Sequence, residues 1–147
     1  MFLRTNSILI VILFFSCNTT VENLALPSVF SDYMVLQRET QVSFWGKSGP
    51  NEKIEITGSW GKSSLTQADK KGNWELKLTT PSAGGPYKVV VNDSRNSIVY
   101  SDVLIGEVWL ASGQSNMQWK LNHCKDCIDN QDYEIVNANY EEIRFFN

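Results

Sequence analysis

Histidine occurs once in these 147 residues, cysteine three times and proline four times. Each scarcity excludes something. With His123 the only histidine, a serine–histidine pair inside this chain has one possible base. That residue lies eight positions after Ser115, in the same local stretch. A base must reach back to its nucleophile within hydrogen-bond distance, and this placement is poor for that, so His123 reads as a surface or loop histidine. Only His123, Cys124 and Cys127 cluster as possible metal ligands, whereas zinc normally takes four. No metal and no cofactor is expected. There is no basic block, and 13 basic against 16 acidic residues leave a net charge of −3, which argues against nucleic acid as the main partner. No internal repeat is convincing.

Long apolar runs are also lacking. Ile8 to Phe15 is the longest near the start and is too short to span a bilayer comfortably. With Arg4 before it, residues 1–16 read as a targeting segment of an exported protein. Cys17 follows directly. Phe14-Phe15-Ser16-Cys17 resembles a bacterial lipobox, departing at Phe14 where an aliphatic residue is preferred, and implies a lipidated Cys17 at the mature N-terminus. The expected location is the periplasm or an outer-membrane lipoprotein, with plain secretion as the alternative. Membrane contact is expected only through that anchor. Residues 17–26 form a polar tether. In an exported chain the C-x-x-C spacing of Cys124 and Cys127 reads as a small-loop disulfide.

What is present is a folded composition, 42% hydrophobic and 12% aromatic, enough to build a core. Val42 to Gly46, Lys53 to Thr57 and Asn73 to Leu78 alternate apolar with polar residues, the period of a half-buried strand. Trp74, Leu76 and Leu78 share one side. Tyr87 to Val91 and Ser97 to Tyr100 continue the series, and turn clusters at 48–51, 69–72, 82–86 and 92–96 separate them. Short strands so spaced predict an antiparallel β-sandwich or jelly roll over residues 27–101. Trp45, Trp60 and Trp74 read either as core or as a sugar-stacking platform. Trp74 falls in phase with the core; Trp60, between Gly58 and Gly61, is the candidate for binding.

Val103 to Ala111 is apolar on both alternating sides except at Gly106 and Glu107, as a strand buried between two layers would be. Ser112 to Asn116 breaks the run, and Met117 to Leu121 can start a helix. Strand, tight turn and helix would present Ser115 as a nucleophile with backbone N–H groups near a developing oxyanion. The same serines also read as plain helix caps, and the pentapeptide alone does not choose. After Cys127, residues 128–139 read as a polar helix and Glu142 to Phe146 as the start of a further strand.

Gly113-Gln114-Ser115-Asn116-Met117 resembles the first block of the SGNH hydrolases, in the form seen in sialate O-acetylesterases and related acetylxylan esterases. Val29 to Arg38, Val42 to Gly46 and Asp69 to Trp74 are similar to the β-domain that precedes the hydrolase domain in that family. The resemblance implies Ser115 as catalytic serine, with its own N–H as one oxyanion donor, acting on an O-acetylated glycan of sialic acid or xylan type through an acyl-enzyme. It places the base in an Asp-x-x-His block, and none occurs here. Residues 102–147 are therefore expected to be the incomplete start of an α/β SGNH hydrolase domain. The alternative is a non-catalytic β-sandwich module for carbohydrate binding or adhesion.

Overall fold

In a computed structural model the described residues are 23–123 and 127–146. The expected targeting segment, Cys17 and Cys124 lie outside them.

The alternating segments form the strands their period predicts. They are β2 (Gln41–Lys47), β3 (Lys53–Gly58) and β5 (Asn73–Thr79), with β6 (Gly84–Asn92) and β7 (Ser97–Gly106) after them. In β5 the alternation is complete: Trp74, Leu76 and Leu78 are buried while Asn73, Glu75 and Lys77 are exposed. Two strands carry no such signal. β1 (Val35–Gln37) is three residues long, and β4 (Lys62–Gln67) has one apolar residue, Leu65, which is 70% exposed. β4 is an edge strand, and a polar edge discourages pairing with other chains.

Five strands pair in the order β1-β7-β6-β3-β4, and β2 pairs with β5 in a separate antiparallel ribbon. The larger sheet is mixed, because β1 runs parallel to β7 while its other pairs are antiparallel. In place of the expected antiparallel sandwich or jelly roll, the strands form this mixed sheet and a two-stranded ribbon around one shared core. Phe44, Trp74, Leu76 and Leu78 come from the ribbon; Ile54, Ile56, Val89, Val91, Val103 and Ile105 come from the sheet. Buried Thr80 ties the two together: its Oγ1 donates to Gln37 O at 2.7 Å and accepts from Thr40 N–H at 3.2 Å.

Glycine is required at two positions by close approach. A Cβ on Gly46 would sit 2.2 Å from Ala25 O and 2.8 Å from the Trp74 ring, and one on Gly58 would sit 2.4 Å from the Trp60 indole. That indole lies over Gly58, donates from Nε1 to Thr79 O at 2.9 Å and meets Tyr87 edge-on. Trp60, the candidate for binding, is thus a packing residue, and Trp74 lies in the core as its phase with Leu76 and Leu78 predicts, so the three tryptophans form no common platform.

The strand expected over Val103–Ala111 is corrected. β7 ends at Gly106, and Val108, Trp109 and Leu110 are 53%, 85% and 95% exposed. Pairing runs out on both sides of β7 at that point. Gly84 at the start of β6 pairs with Ile105, and Gln37 at the end of β1 pairs with Gly106. Beyond them no described strand offers a ladder, so apolar residues alone do not extend the strand. Glu142 to Phe146 likewise forms no strand, while the helix expected within 128–139 is present as α1 (Gln131–Asn137).

Candidate functional site

The chain leaves the β-domain through a polar joint. Glu107 follows β7, and its two carboxylate oxygens accept from Gln37 Nε2 at 3.0 Å and Arg38 Nε at 2.7 Å. Gln37 also accepts, through Oε1, the backbone N–H of Val108 at 2.9 Å. Hydrogen bonds from Gln37 and Arg38, together with the Arg38 charge, hold the Glu107 carboxyl below its ordinary pKa, because they favour the ionised form. Three residues next to one another in space thus fix where the segment toward Ser115 departs.

A second tether comes from the far end. Arg144 donates to the backbone carbonyl of Asp102 and, at 3.3 Å, to its carboxylate. Its guanidinium lies 5.5 Å from the centroid of the Tyr33 ring, in cation–π range. Asp102 and Tyr33 both have left-handed backbone, φ 58 and φ 64. Such φ is uncommon outside glycine, and here Asp32 Oδ1 accepting Ser101 N–H and Tyr33 N–H donating to Ser101 O hold the corner.

Between the tethers, Ser115 opens a 3-10 turn, Ser115–Gln118, with Met117 N–H donating to Gln114 O at 2.9 Å. Ser115 is exposed. A Cβ at Gly113 would lie 2.4 Å from Cγ of the exposed, flexible Met117 side chain. The expected geometry is corrected in two respects: residues 107–114 separate Ser115 from β7, and the turn is 3-10. A second 3-10 turn, Leu121–His123, carries the lone histidine. His123 is exposed, and its Nδ1 accepts Lys120 N–H at 3.3 Å; among the described residues no hydrogen bond joins it to Ser115. Cys127 is disulfide-bonded, and its expected partner Cys124 is outside the described residues. Among the described residues no group of three or more His, Cys, Asp or Glu could hold a metal ion, and no helix is long and apolar enough to cross a membrane.

The mouse sialate O-acetylesterase is 30% identical over 130 residues, which are 81% of this chain and 23% of the mouse protein. The human sialate O-acetylesterase is 30% identical over 128 residues, 80% of this chain and 24% of its own length. The crystal structure of a carbohydrate acetylesterase from Xanthomonas citri superposes with a TM-score of 0.62 at 41% identity, covering 67% of this chain and 22% of that one. The chain belongs to the sialate O-acetylesterase family. It spans under a quarter of the length of the curated relatives it matches. No family model matches the sequence.

Within this family member, sequence reasoning found the serine turn but missed the residues that tether it. Gln37 and Arg38 close the block Val29–Arg38 that carried the resemblance, which was the available signal. For Arg144 there was none.

Proposed function

We propose that this chain is part of an exported carbohydrate O-acetylesterase and that Ser115 is its nucleophile. The observation that carries the reading is Ser115 itself, exposed at the head of a turn, in a chain matched to sialate O-acetylesterases and to a carbohydrate acetylesterase. Ser115 Oγ would bond to the acetyl carbonyl carbon while a base takes its proton. The carbon–oxygen bond to the sugar then breaks, the sugar oxygen takes a proton, and water releases acetate from the acyl-serine. The Ser115 N–H is the assigned oxyanion donor within this chain. His123 is engaged with Lys120 N–H, so on this reading the base comes from residues outside the 147.

Aryl-acetate hydrolysis by the complete product of the gene, beside Ser115→Ala, is the test. Loss of about a thousandfold or more in kcat is expected. Unchanged turnover would reject Ser115. The chain of 147 residues alone should not exceed background. Export rests on residues 1–17, and mass spectrometry of the mature N-terminus should find an acylated Cys17. A Cys124–Cys127 disulfide completes the exported reading.

A binding or adhesion module is the second reading, favoured by the fact that the buried core lies between Leu24 and Ile105. Glycan binding without turnover by the complete product would select it.

A further inference from the structure

We propose that the outer side of the β2–β5 ribbon carries a glycan-binding subsite, in which a pyranose ring lies on the Trp45 indole and bonds to Lys47 and Asn73. The inner side of the ribbon is the core. On the outer side, cross-strand partners set Ser43 opposite Lys77, Trp45 opposite Glu75 and Lys47 opposite Asn73. Trp45 is the one apolar side chain in these three rungs, and it is 44% exposed.

A single exposed apolar residue needs no explanation by itself. Trp45 differs in two respects. It lines a concave groove of about 330 Å³ with Ala25, Leu26, Pro27, Lys47 and Asn73. That volume is at the small end of ligand sites, roughly 300–1,000 Å³, as suits one sugar ring. The groove is also rigid. Phe30 meets Trp45 edge-to-face at 4.9 Å and is stacked on buried Phe44, while Ala25 and Lys47 exchange two backbone hydrogen bonds of 2.8 Å. A fixed aromatic lowers the ordering cost of binding, which matters when each contact is weak.

The chemistry is complementary to a pyranose, which shows C–H groups on its ring faces and oxygens around its rim. Indole supplies an apolar plate, and flanking polar groups supply hydrogen bonds. Among the described residues no carboxylate pairs with the Lys47 ammonium, which leaves its three donors for a hydroxyl or carboxylate oxygen. Asn73 Nδ2 donates to Asp69 Oδ2 at 3.1 Å, which orients the amide. A second groove, about 220 Å³ beside Leu65, Lys53 and Asn92, has no aromatic wall.

The subsite uses no residue of the serine turn, so it stands or falls apart from the esterase reading. The chain is titrated with xylotetraose and separately with 3′-sialyllactose while the indole N–H signals are followed by NMR, Trp45 being assigned by its loss in Trp45→Phe. The Trp45 signal should shift saturably with at least one sugar, and the open-chain polyol sorbitol should not reproduce the shift. Trp45→Ala should weaken binding about tenfold or more, and Lys47→Met should weaken it less, with circular dichroism showing that each variant is folded. Ser115→Ala should leave binding unchanged. No saturable Trp45 shift with either sugar, an equal shift with sorbitol, or unchanged affinity in folded Trp45→Ala or Lys47→Met would overturn the proposal.

Discussion

Residues 24–106 and 107–146 are both rich in large apolar side chains, yet among the described residues only the first region buries them. Phe44, Ile54, Leu78 and Val91 are fully buried there, whereas Trp109, Leu110, Val136 and Phe145 are 81–95% exposed. Backbone pairing makes the difference. Every β-domain strand finds a ladder, and those with an apolar side hold it against the opposite sheet, so burial and hydrogen bonding arrive together. Past Gly106 no described strand remains to pair with, and the apolar residues have nothing to be held against. Composition supplies material for a core, and pairing decides whether one forms.

The sharpest way to break this comparison is to truncate the same kind of side chain in each region. Phe44→Ala should destabilise the chain by about 3–5 kcal/mol in a denaturant titration, through lost transfer energy and a cavity. Leu110→Ala should change stability by no more than about 0.5 kcal/mol. Equal effects would mean that the second region shares the cooperative core.

Next in size is overpacking. Gly46→Ala puts a methyl against the Ala25 carbonyl and the Trp74 ring, and should cost about 1–3 kcal/mol by the same titration. Gly61→Ala bears on backbone alone, since nothing lies within 4 Å of its Cβ position while its φ is +83. It should cost less than Gly46→Ala.

Smaller still is the joint between the regions. Gln37→Ala should speed hydrogen exchange at the Val108 amide and proteolysis within 107–114, leaving exchange in β3 and β6 unchanged. Its pH dependence has a definite sign. Hydrogen bonds from Gln37 and Arg38 lower the Glu107 pKa in the fold, so the unfolded chain binds the proton more readily. The contribution is present above the unfolded carboxyl value, near pH 4–5, and is lost as pH falls through the lower folded value. Glu107→Gln should therefore flatten the acid side of the stability profile relative to the parent chain. An unchanged profile would show that the joint is not formed in solution.

Legibility in the sequence divided along the same line. β2, β3 and β5 were legible because alternation is a local property, and Trp74, Leu76 and Leu78 were placed correctly from it. β4 was hidden because an edge strand can be nearly all polar, and its one apolar residue, Leu65, faces solvent. β1 was hidden because it is three residues long and pairs with β7, far along the chain. The Val103–Ala111 strand was overextended because apolar residues signal a wish for burial, while partners 70 positions away decide its end. Ser115 was legible through Gly113 and the break in the apolar run. Its tethers, Gln37, Arg38, Glu107 and Arg144, were not, because such contacts follow from the fold.

The central functional claim is that Ser115 is the reactive serine of this protein. A fluorophosphonate, which phosphonylates the activated serine of an esterase with loss of fluoride and leaves ordinary serines unmodified, tests it on the complete gene product. After digestion and mass spectrometry, the label should be on the peptide that contains Ser115 and should be absent from Ser115→Ala. Label on another serine, with Ser115 unmodified, would contradict the account.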